Sequence, residues 1–444
     1  MTTRRSATTT RTAPRSASTR AATKQTTAAR TSTRKPAPTR TATSRASSNT
    51  SRSRPRTTTA SRRRAEVEVI HRGPSPATVV VVTVALLCGL GLVMVYSASS
   101  VTAVRTLGNS WGIVSKQAMW LVLGVGAAFA ASRVPWRVWR DRVALPLMLV
   151  SVAALGYVAL GVLAQKATGT SLPFVLSVNG ATRWVGAGSM QFQPSDLAKP
   201  ALILWLAKLL SERGRDVRTW EGLKPVLVWS GLTCGLVVLG DDLGTTMLLG
   251  SITLAMVFMA GAPLSKLATM GGVSLGLGAL AIVGLEQFRV TRILAFLEPD
   301  KYRQGAGWQL WQSQIGLASG GVFGTGPGLA RSKWGFLPEA HTDFILAVIG
   351  EELGLVGSLV VLGLFVAFMG AGCSIGMRAM SPFGRLVAFG VTTWIGVQAL
   401  INIGVTVGTL PTKGITLPFV SYGGSSLLMA LFGVGILLSV ARDA

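Results

Sequence analysis

Four groups of polar residues in an otherwise apolar chain have the types and spacing for chemistry. The first runs Asn179-Gly-Ala-Thr-Arg183-Trp184 and then Gln193-Pro-Ser-Asp196-Leu-Ala-Lys199. Asp196 and Lys199 are three residues apart, so on a helix they share a face and can pair. That pair either holds helices together or leaves Lys199 to line an anion site with Arg183, whose planar fork suits phosphate. The second group is Asp241-Asp242-Leu-Gly244-Thr245-Thr246. Adjacent carboxylates at a turn cap the helix that follows; the other reading is a cation-binding or catalytic role. The third is His341-Thr342-Asp343-Phe344, followed by Glu351-Glu352. Neighbours on a helix point in different directions, so at least one glutamate should face the bundle interior. The fourth is Glu298-Pro-Asp300-Lys-Tyr302-Arg303-Gln-Gly-Ala-Gly307-Trp308-Gln309, with Gly320-Gly321 and Gly324-Thr-Gly326-Pro-Gly328 after it. These glycines make turns or let backbone approach a ligand. His341 alone is weak ground for a metal, and no metal-ligand set is read.

Two very different parts must position these groups. The chain has 444 residues, a formal net charge of +26, 49% hydrophobic residues and only 14% charged ones. Soluble domains average about a quarter charged. Residues 1–76 hold 18 of the 43 Lys and Arg but 2 of the 17 Asp and Glu. Positions 1–65 contain no aromatic residue and are mostly Thr, Ser, Arg, Ala and Pro. Such a segment has little to bury against the entropy of ordering, so residues 1–76 read as a disordered basic cytoplasmic tail. It is too long and evenly basic for a signal peptide. Its readings are a solvated retention tail, attraction to anionic lipid, or counterion-release binding of nucleic acid; no nucleic-acid partner is expected. Cys88, Cys234 and Cys373 lie in apolar runs without paired spacing and read as small core hydrophobes.

Residues 77–444 form the second part. Apolar runs of membrane length lie near 77–99, 113–131, 143–163, 195–211, 225–241, 243–261, 266–286, 344–370, 384–404 and 423–441. The fold class is therefore an all-α polytopic membrane protein with about ten transmembrane helices. An even number puts both termini on one side. The positive-inside rule makes that side cytoplasmic. The tail is basic, the 132–142 loop holds Arg133, Arg137, Arg140 and Arg142, and Arg213, Arg215 and Arg218 follow the fourth span. Two long segments, 164–194 and 287–343, then face outward as loops.

The residues in this order resemble the SEDS family of polytopic proteins, whose branches are FtsW, RodA and SpoVE. The strongest match is Asn402-Ile-Gly404-Val-Thr-Val-Gly408-Thr-Leu-Pro411-Thr-Lys413-Gly414-Ile-Thr-Leu-Pro418-Phe419-Val-Ser421-Tyr422-Gly423-Gly424-Ser425-Ser426, the family signature before the last span. Tyr96-Ser97-Ala98-Ser99, Gln193-Pro-Ser-Asp196, Asp242-Leu-Gly-Thr and Leu337-Pro338-Glu339-Ala340-His341-Thr342-Asp343-Phe344-Ile345 support it. The resemblance covers about residues 75–444 and not the tail. Pro411-Thr-Lys413-Gly414 looks like the division branch, and such a tail is similar to those of actinobacterial members.

The resemblance implies a peptidoglycan glycosyltransferase that polymerises lipid II into glycan strands in septal cell-wall synthesis. Lipid II, a class B penicillin-binding transpeptidase and other divisome proteins are then the partners. The location is the plasma membrane at the division septum. The implied step is one inverting displacement. A carboxylate takes the proton of the acceptor hydroxyl, that oxygen attacks the anomeric carbon, and the diphosphate departs with its charge met by Arg or Lys. A divalent cation, Mg or Mn, is the candidate cofactor. Family members commonly carry Asp-Pro where a gapless match on Gly305-Ala-Gly307-Trp308-Gln309 puts Tyr302-Arg303. Asp300, two residues upstream, is accordingly the expected catalytic base, with Glu298 the only other carboxylate nearby. Arg183, Lys199, Asp242 and Asp343 match other polar family positions, and Asp196 stands where Glu is commoner. With His341, Ser421 and Tyr422 these make the expected substrate-binding set. The competing readings are a lipid II flippase and a non-catalytic division scaffold for the transpeptidase.

Overall fold

The computed structural model describes residues 73–170, 172–178, 181–187, 190–285 and 287–443. The readings of the basic tail, and that of Asn179, lie outside these residues. The described residues form helices and one small sheet, joined by turns and irregular segments. In chain order the helices are α1 Pro76–Leu107, α2 Gly112–Arg133, α3 Trp136–Thr168, α4 Pro194–Arg213, α5 Trp220–Leu239 and α6 Leu243–Met259. They continue with α7 Leu264–Leu285, α8 Gln287–Leu297, α9 Trp308–Gly320, α10 Ile345–Arg378, α11 Pro382–Val407 and α12 Gly424–Arg442. Local chemistry sets several starts. Ser75 accepts from Thr78 N at 3.1 Å with Pro76 in the first turn, and Ser381 accepts from Gly384 N at 2.9 Å ahead of α11. Both follow the capping rule for hydroxyl residues and the tolerance of proline at the first helical position.

Every expected apolar run falls on a helix. Seven, α1, α2, α3, α5, α10, α11 and α12, are long and apolar enough to cross a membrane. Of the others, α6 is shorter, the apolar part of α7 is Leu264–Leu280, and α4 carries Asp196, Lys199, Lys208, Glu212 and Arg213. This is a multi-pass membrane protein. The two segments expected as outward loops contain regular structure. Part of 164–194 folds as an antiparallel sheet of β1 Val175–Val178, β2 Ala181–Ala187 and β3 Met190–Phe192, in the order β1-β2-β3. Val175 pairs with Val185, which pairs in turn with Phe192, and the β1–β2 register shifts at Leu176/Ser177. The 287–343 segment contains α8 and α9 rather than open loop.

The polar helix α4 is sheathed by protein: its residues from Ala201 to Ala207 are all buried, and it packs against α3, α5, α6 and α11. That arrangement lets its charges avoid lipid. α12 lies along α2 at close range, where a Cβ added at Gly435 would overlap the Ala128 carbonyl. Small residues allow such approach between apolar helices that gain nothing from hydrophobic exclusion in lipid. α10 breaks at Gly354, whose φ of 68° and ψ of −164° belong to a region essentially limited to glycine. Leu355 N and Val356 N donate instead to Gly321 O and Val322 O, while Thr325 N and Gly326 N donate to Glu351 O and Glu352 O. The segment after α9 thus supplies the hydrogen bonds that the broken helix lacks, as a low-dielectric setting demands.

A Cβ at Gly354 would overlap Gly324 N and Val322 O. Gly354→Ala should therefore cost more than the roughly 1–3 kcal/mol of backbone strain alone. Thermal unfolding in detergent should show a clear drop in midpoint, while Gly363→Ala on the same helix, where nothing lies within 4 Å, should not.

Candidate functional site

The polar residues separated in sequence converge around the start of α4, the start of α6 and the segments before α10 and α12. At α4, Lys199 Nζ meets Asp196 Oδ1 at 2.7 Å with both side chains 5% exposed. Asp196 Oδ2 accepts from Ser425 Oγ at 2.6 Å, and Ser425 Oγ accepts from Gln193 N at 3.3 Å. Lys199 also lies 5.8 Å from the Trp394 ring centroid. Lys199, expected to help bind an anion, has its ammonium paired with Asp196 inside the bundle, as a buried charge needs a close opposite partner.

Asp242 takes the helix-capping role and more. Its Oδ1 accepts from Thr245 N at 2.9 Å, which caps α6. Its Oδ2 accepts from Gln193 Nε2 at 3.0 Å and Ser195 Oγ at 3.4 Å, and Arg183 Nη1 from β2 stands 3.9 Å from Oδ1. Arg183 Nε is buried without a hydrogen-bond partner among the described residues. It is a donor held ready beside a carboxylate.

The Leu337–Phe344 segment completes the cluster. Asp343 is half-buried, and its carbonyl accepts from Asn402 Nδ2 at 2.7 Å. Arg183, Arg292 from α8, Glu339 and Asp242 all lie within electrostatic reach of its carboxylate. Burial and the like charges of Glu339 and Asp242 push its carboxyl up to about 7, against the pull of the two arginines. Burial lowers His341, opposed by Glu339, and raises the Tyr422 phenol. Their rings lie 5.6 Å apart, and Tyr422 N donates to His341 O at 2.9 Å. Ser421 acts within its own turn: its Oγ accepts from Leu417 N at 2.8 Å, and its carbonyl accepts from Gln117 Nε2 at 3.1 Å.

Three non-glycine residues with positive φ flank the cluster: Asp241 at 62°, Glu339 at 56° and Phe419 at 66°. Each costs about 1–3 kcal/mol, which surrounding contacts must offset. The strain coincides with the turns that present Asp242, Asp343 and Tyr422.

Asp300 sits differently. Its side chain is 81% exposed and accepts from Arg303 Nη2 at 2.5 Å, and the Arg303 guanidinium stacks on Trp311 at 3.9 Å. Tyr302 contributes its carbonyl to the turn, accepting from Gly305 N and Gly307 N. Both Glu351 and Glu352 face inward. Glu351 accepts from Arg331 N at 2.7 Å and from Ser332 Oγ; Glu352 accepts from Ser97 Oγ at 2.6 Å with Lys333 Nζ 3.8 Å away. Sequence reasoning missed Arg292, whose signal was a basic residue in the apolar stretch Val290-Thr-Arg292-Ile-Leu-Ala-Phe-Leu, and missed the partners Ser425, Gln117 and Lys333.

The family model for FtsW, RodA and SpoVE, described as "Cell cycle protein", matches residues 77–444. Similar curated proteins are named "Probable peptidoglycan glycosyltransferase FtsW". That of Geobacter metallireducens is 38% identical over 80% of this chain and 92% of its own length. That of Thioalkalivibrio sulfidiphilus is 42% identical over 80% and 87%. Among solved structures, a chain of a peptidoglycan synthase complex that coordinates polymerization and crosslinking is 28% identical, with a TM-score of 0.65 over 82% of this chain and 97% of that one. The rod shape determining protein RodA of Thermus thermophilus is 29% identical, with a TM-score of 0.59 over 82% and 96%.

Removing one member of the α4 pair leaves the other charge buried. Asp196→Ala should destabilise the protein by about 3–5 kcal/mol, whereas the double variant Asp196→Leu with Lys199→Met should recover most of that loss. A double-mutant cycle on unfolding in detergent measures the coupling.

Proposed function

The chain belongs to the cell cycle protein family of FtsW, RodA and SpoVE, and we propose that it is a septal peptidoglycan glycosyltransferase that polymerises lipid II. The observation that carries this reading is Arg183: a guanidinium 3.9 Å from Asp242, its Nε buried without a hydrogen-bond partner among the described residues, within electrostatic reach of the Asp343 carboxylate and Arg292. A lipid-linked sugar diphosphate brings what such a place can use. Its polyprenyl tail suits the surrounding bilayer, its diphosphate meets cationic groups, and its disaccharide meets the segments outside the helices.

The chemistry is a displacement at the anomeric carbon. An acceptor hydroxyl loses its proton to a carboxylate while its oxygen forms the new glycosidic bond. The bond from the anomeric carbon to the diphosphate oxygen breaks, and the leaving group's growing charge is met by Arg183 and Arg292. Attack from the opposite face inverts the centre, as in inverting glycosidases where water is the nucleophile. Among the described residues no group of three or more His, Cys, Asp or Glu could hold a metal ion. Both termini lie in the cytoplasm, the site opens outward, and the protein works at the septum with a class B penicillin-binding transpeptidase and other divisome proteins. The likeness to a synthase-complex chain and to FtsW relatives supports that assembly.

Purified with its transpeptidase and given lipid II in detergent, the protein should build glycan ladders. Arg183→Ala should slow them by about 10²-fold or more, the usual consequence of removing a donor aimed at developing charge. Lipid II movement across vesicles without ladders would select the flippase, and neither activity would select the scaffold. A fluorescent fusion should concentrate at mid-cell; side-wall or polar signal would contradict the septal assignment.

A further inference from the structure

One end of the bundle is crowded with arginine. Residues 132–142, 378–385 and 440–443 carry four, two and one of them, and Asp141 and Asp443 are the only acids there. Parts of all three segments, 135–137 between α2 and α3, 379–381 between α10 and α11, and 440–443 at the end of α12, enclose a cavity of about 470 Å³. That is within the roughly 300–1,000 Å³ of small-molecule sites. Its lining includes Trp136, Arg137, Met380, Ser381, Arg442 and Asp443. Arg140 is taken up by Asp141 at 2.7 Å. Among the described residues Arg137 and Arg442 enter no ion pair within 4 Å. Asp443 is one carboxylate against these two guanidinium groups, so the wall stays positive. A guanidinium is a planar fork that can meet two oxygens of one phosphate.

The rim offers an apolar surface beside the charge. Val122, Val125 and Phe129 are three and four residues apart on α2, so they share a face, and all three are exposed. Arg133 continues that face by one turn. Its guanidinium sits 4.6 Å over the Phe129 ring, and its carbonyl accepts from Arg442 Nη1 at 3.4 Å. An apolar stripe thus runs directly into the arginines that border the cavity. Trp136 stacks on Phe383 with ring centroids 6.1 Å apart, and Arg137 and Arg140 lie 5.5 and 5.4 Å from its own ring. Tryptophan with arginine at the end of an apolar stretch marks the level of lipid headgroups.

We propose that this cavity holds the phosphate of an anionic phospholipid, received by Arg137 and Arg442, with the acyl chains on the 122–129 face of α2. A phospholipid supplies both the negative charge for the guanidinium groups and the chains for the stripe, whereas a free phosphate supplies only the first. The positive-inside rule assigns this basic end to the cytoplasm, so the lipid comes from the inner leaflet. None of these residues belongs to the Arg183 cluster, and the site stands whether or not the chain polymerises lipid II.

The test uses the full chain purified in a neutral detergent, with phosphatidylglycerol as the probe and phosphatidylcholine and inorganic phosphate beside it. Native mass spectrometry counts retained lipid, and thermal unfolding gives the midpoint. Phosphatidylglycerol should stay bound and raise the midpoint; the other two should do neither. Arg137→Gln with Arg442→Gln should weaken retention by about 10-fold or more, since each arginine is one cationic contact. Arg378→Gln with Arg385→Gln removes the same charge from the same end without touching the lining, and should keep the lipid. All four side chains are exposed, so both double variants should unfold at the wild-type midpoint when lipid is absent. Met380→Glu, which puts a negative charge at an exposed position of the lining, should also lower retention. Any lipid attracted by residues 1–76 is common to every variant. Equal losses in the two arginine pairs, or no loss in either, overturn the proposal, because attraction would then be diffuse. Phosphatidylcholine or inorganic phosphate bound as tightly as phosphatidylglycerol overturns it as well.

Discussion

Asp242 is one carboxylate on which three segments depend. It ends the turn after α5, caps α6 through Thr245 N, receives Gln193 and Ser195 from the junction of the sheet with α4, and faces Arg183 of β2 at 3.9 Å. A carboxylate with several donors around it stays ionised without the cost that an isolated buried charge would carry. Each donor is also fixed by the exchange. The junction of the sheet with α4 and the start of α6 are thereby tied to one carboxylate.

The same logic recurs through the bundle. Asp196 holds Lys199 and Ser425, and Glu352 faces Lys333 and Ser97. Buried pairs of this kind contribute little net stability against apolar replacements of the same shape, but breaking one is costly. Their effect is to specify which helix faces which.

Much of the helical frame was legible because apolar runs and caps are local signals. Ser75-Pro76, Asp242 and Ser381-Pro382 announce helix starts from neighbouring residues alone, and the i, i+3 spacing of Asp196 and Lys199 announced their contact. The spacing of Asp300 and Arg303 is the same, and could have shown that this aspartate has a partner of its own. What could not be read depends on long-range closure. Ser97 and Glu352 are 255 residues apart, and Ser425 and Asp196 are 229 apart. β1, β2 and β3 are short strands of four, seven and three residues, which give little room for an alternating pattern. Gly354 is one of 52 glycines, and only its conformation sets it apart.

The break in α10 also divides its surroundings. From Ile345 to Glu352 every residue is buried in protein, whereas Leu355, Val356, Leu359, Val360 and Val366 present an exposed apolar face. The part after Gly354, Leu355–Arg378, is about 36 Å long at the helical rise, close to the roughly 30 Å hydrocarbon thickness with modest tilt. That part alone is thus long enough to satisfy the bilayer. The stub before it is freed from any insertion requirement, which is why two adjacent glutamates can ride on a continuous stretch of helix without a penalty for entering oil.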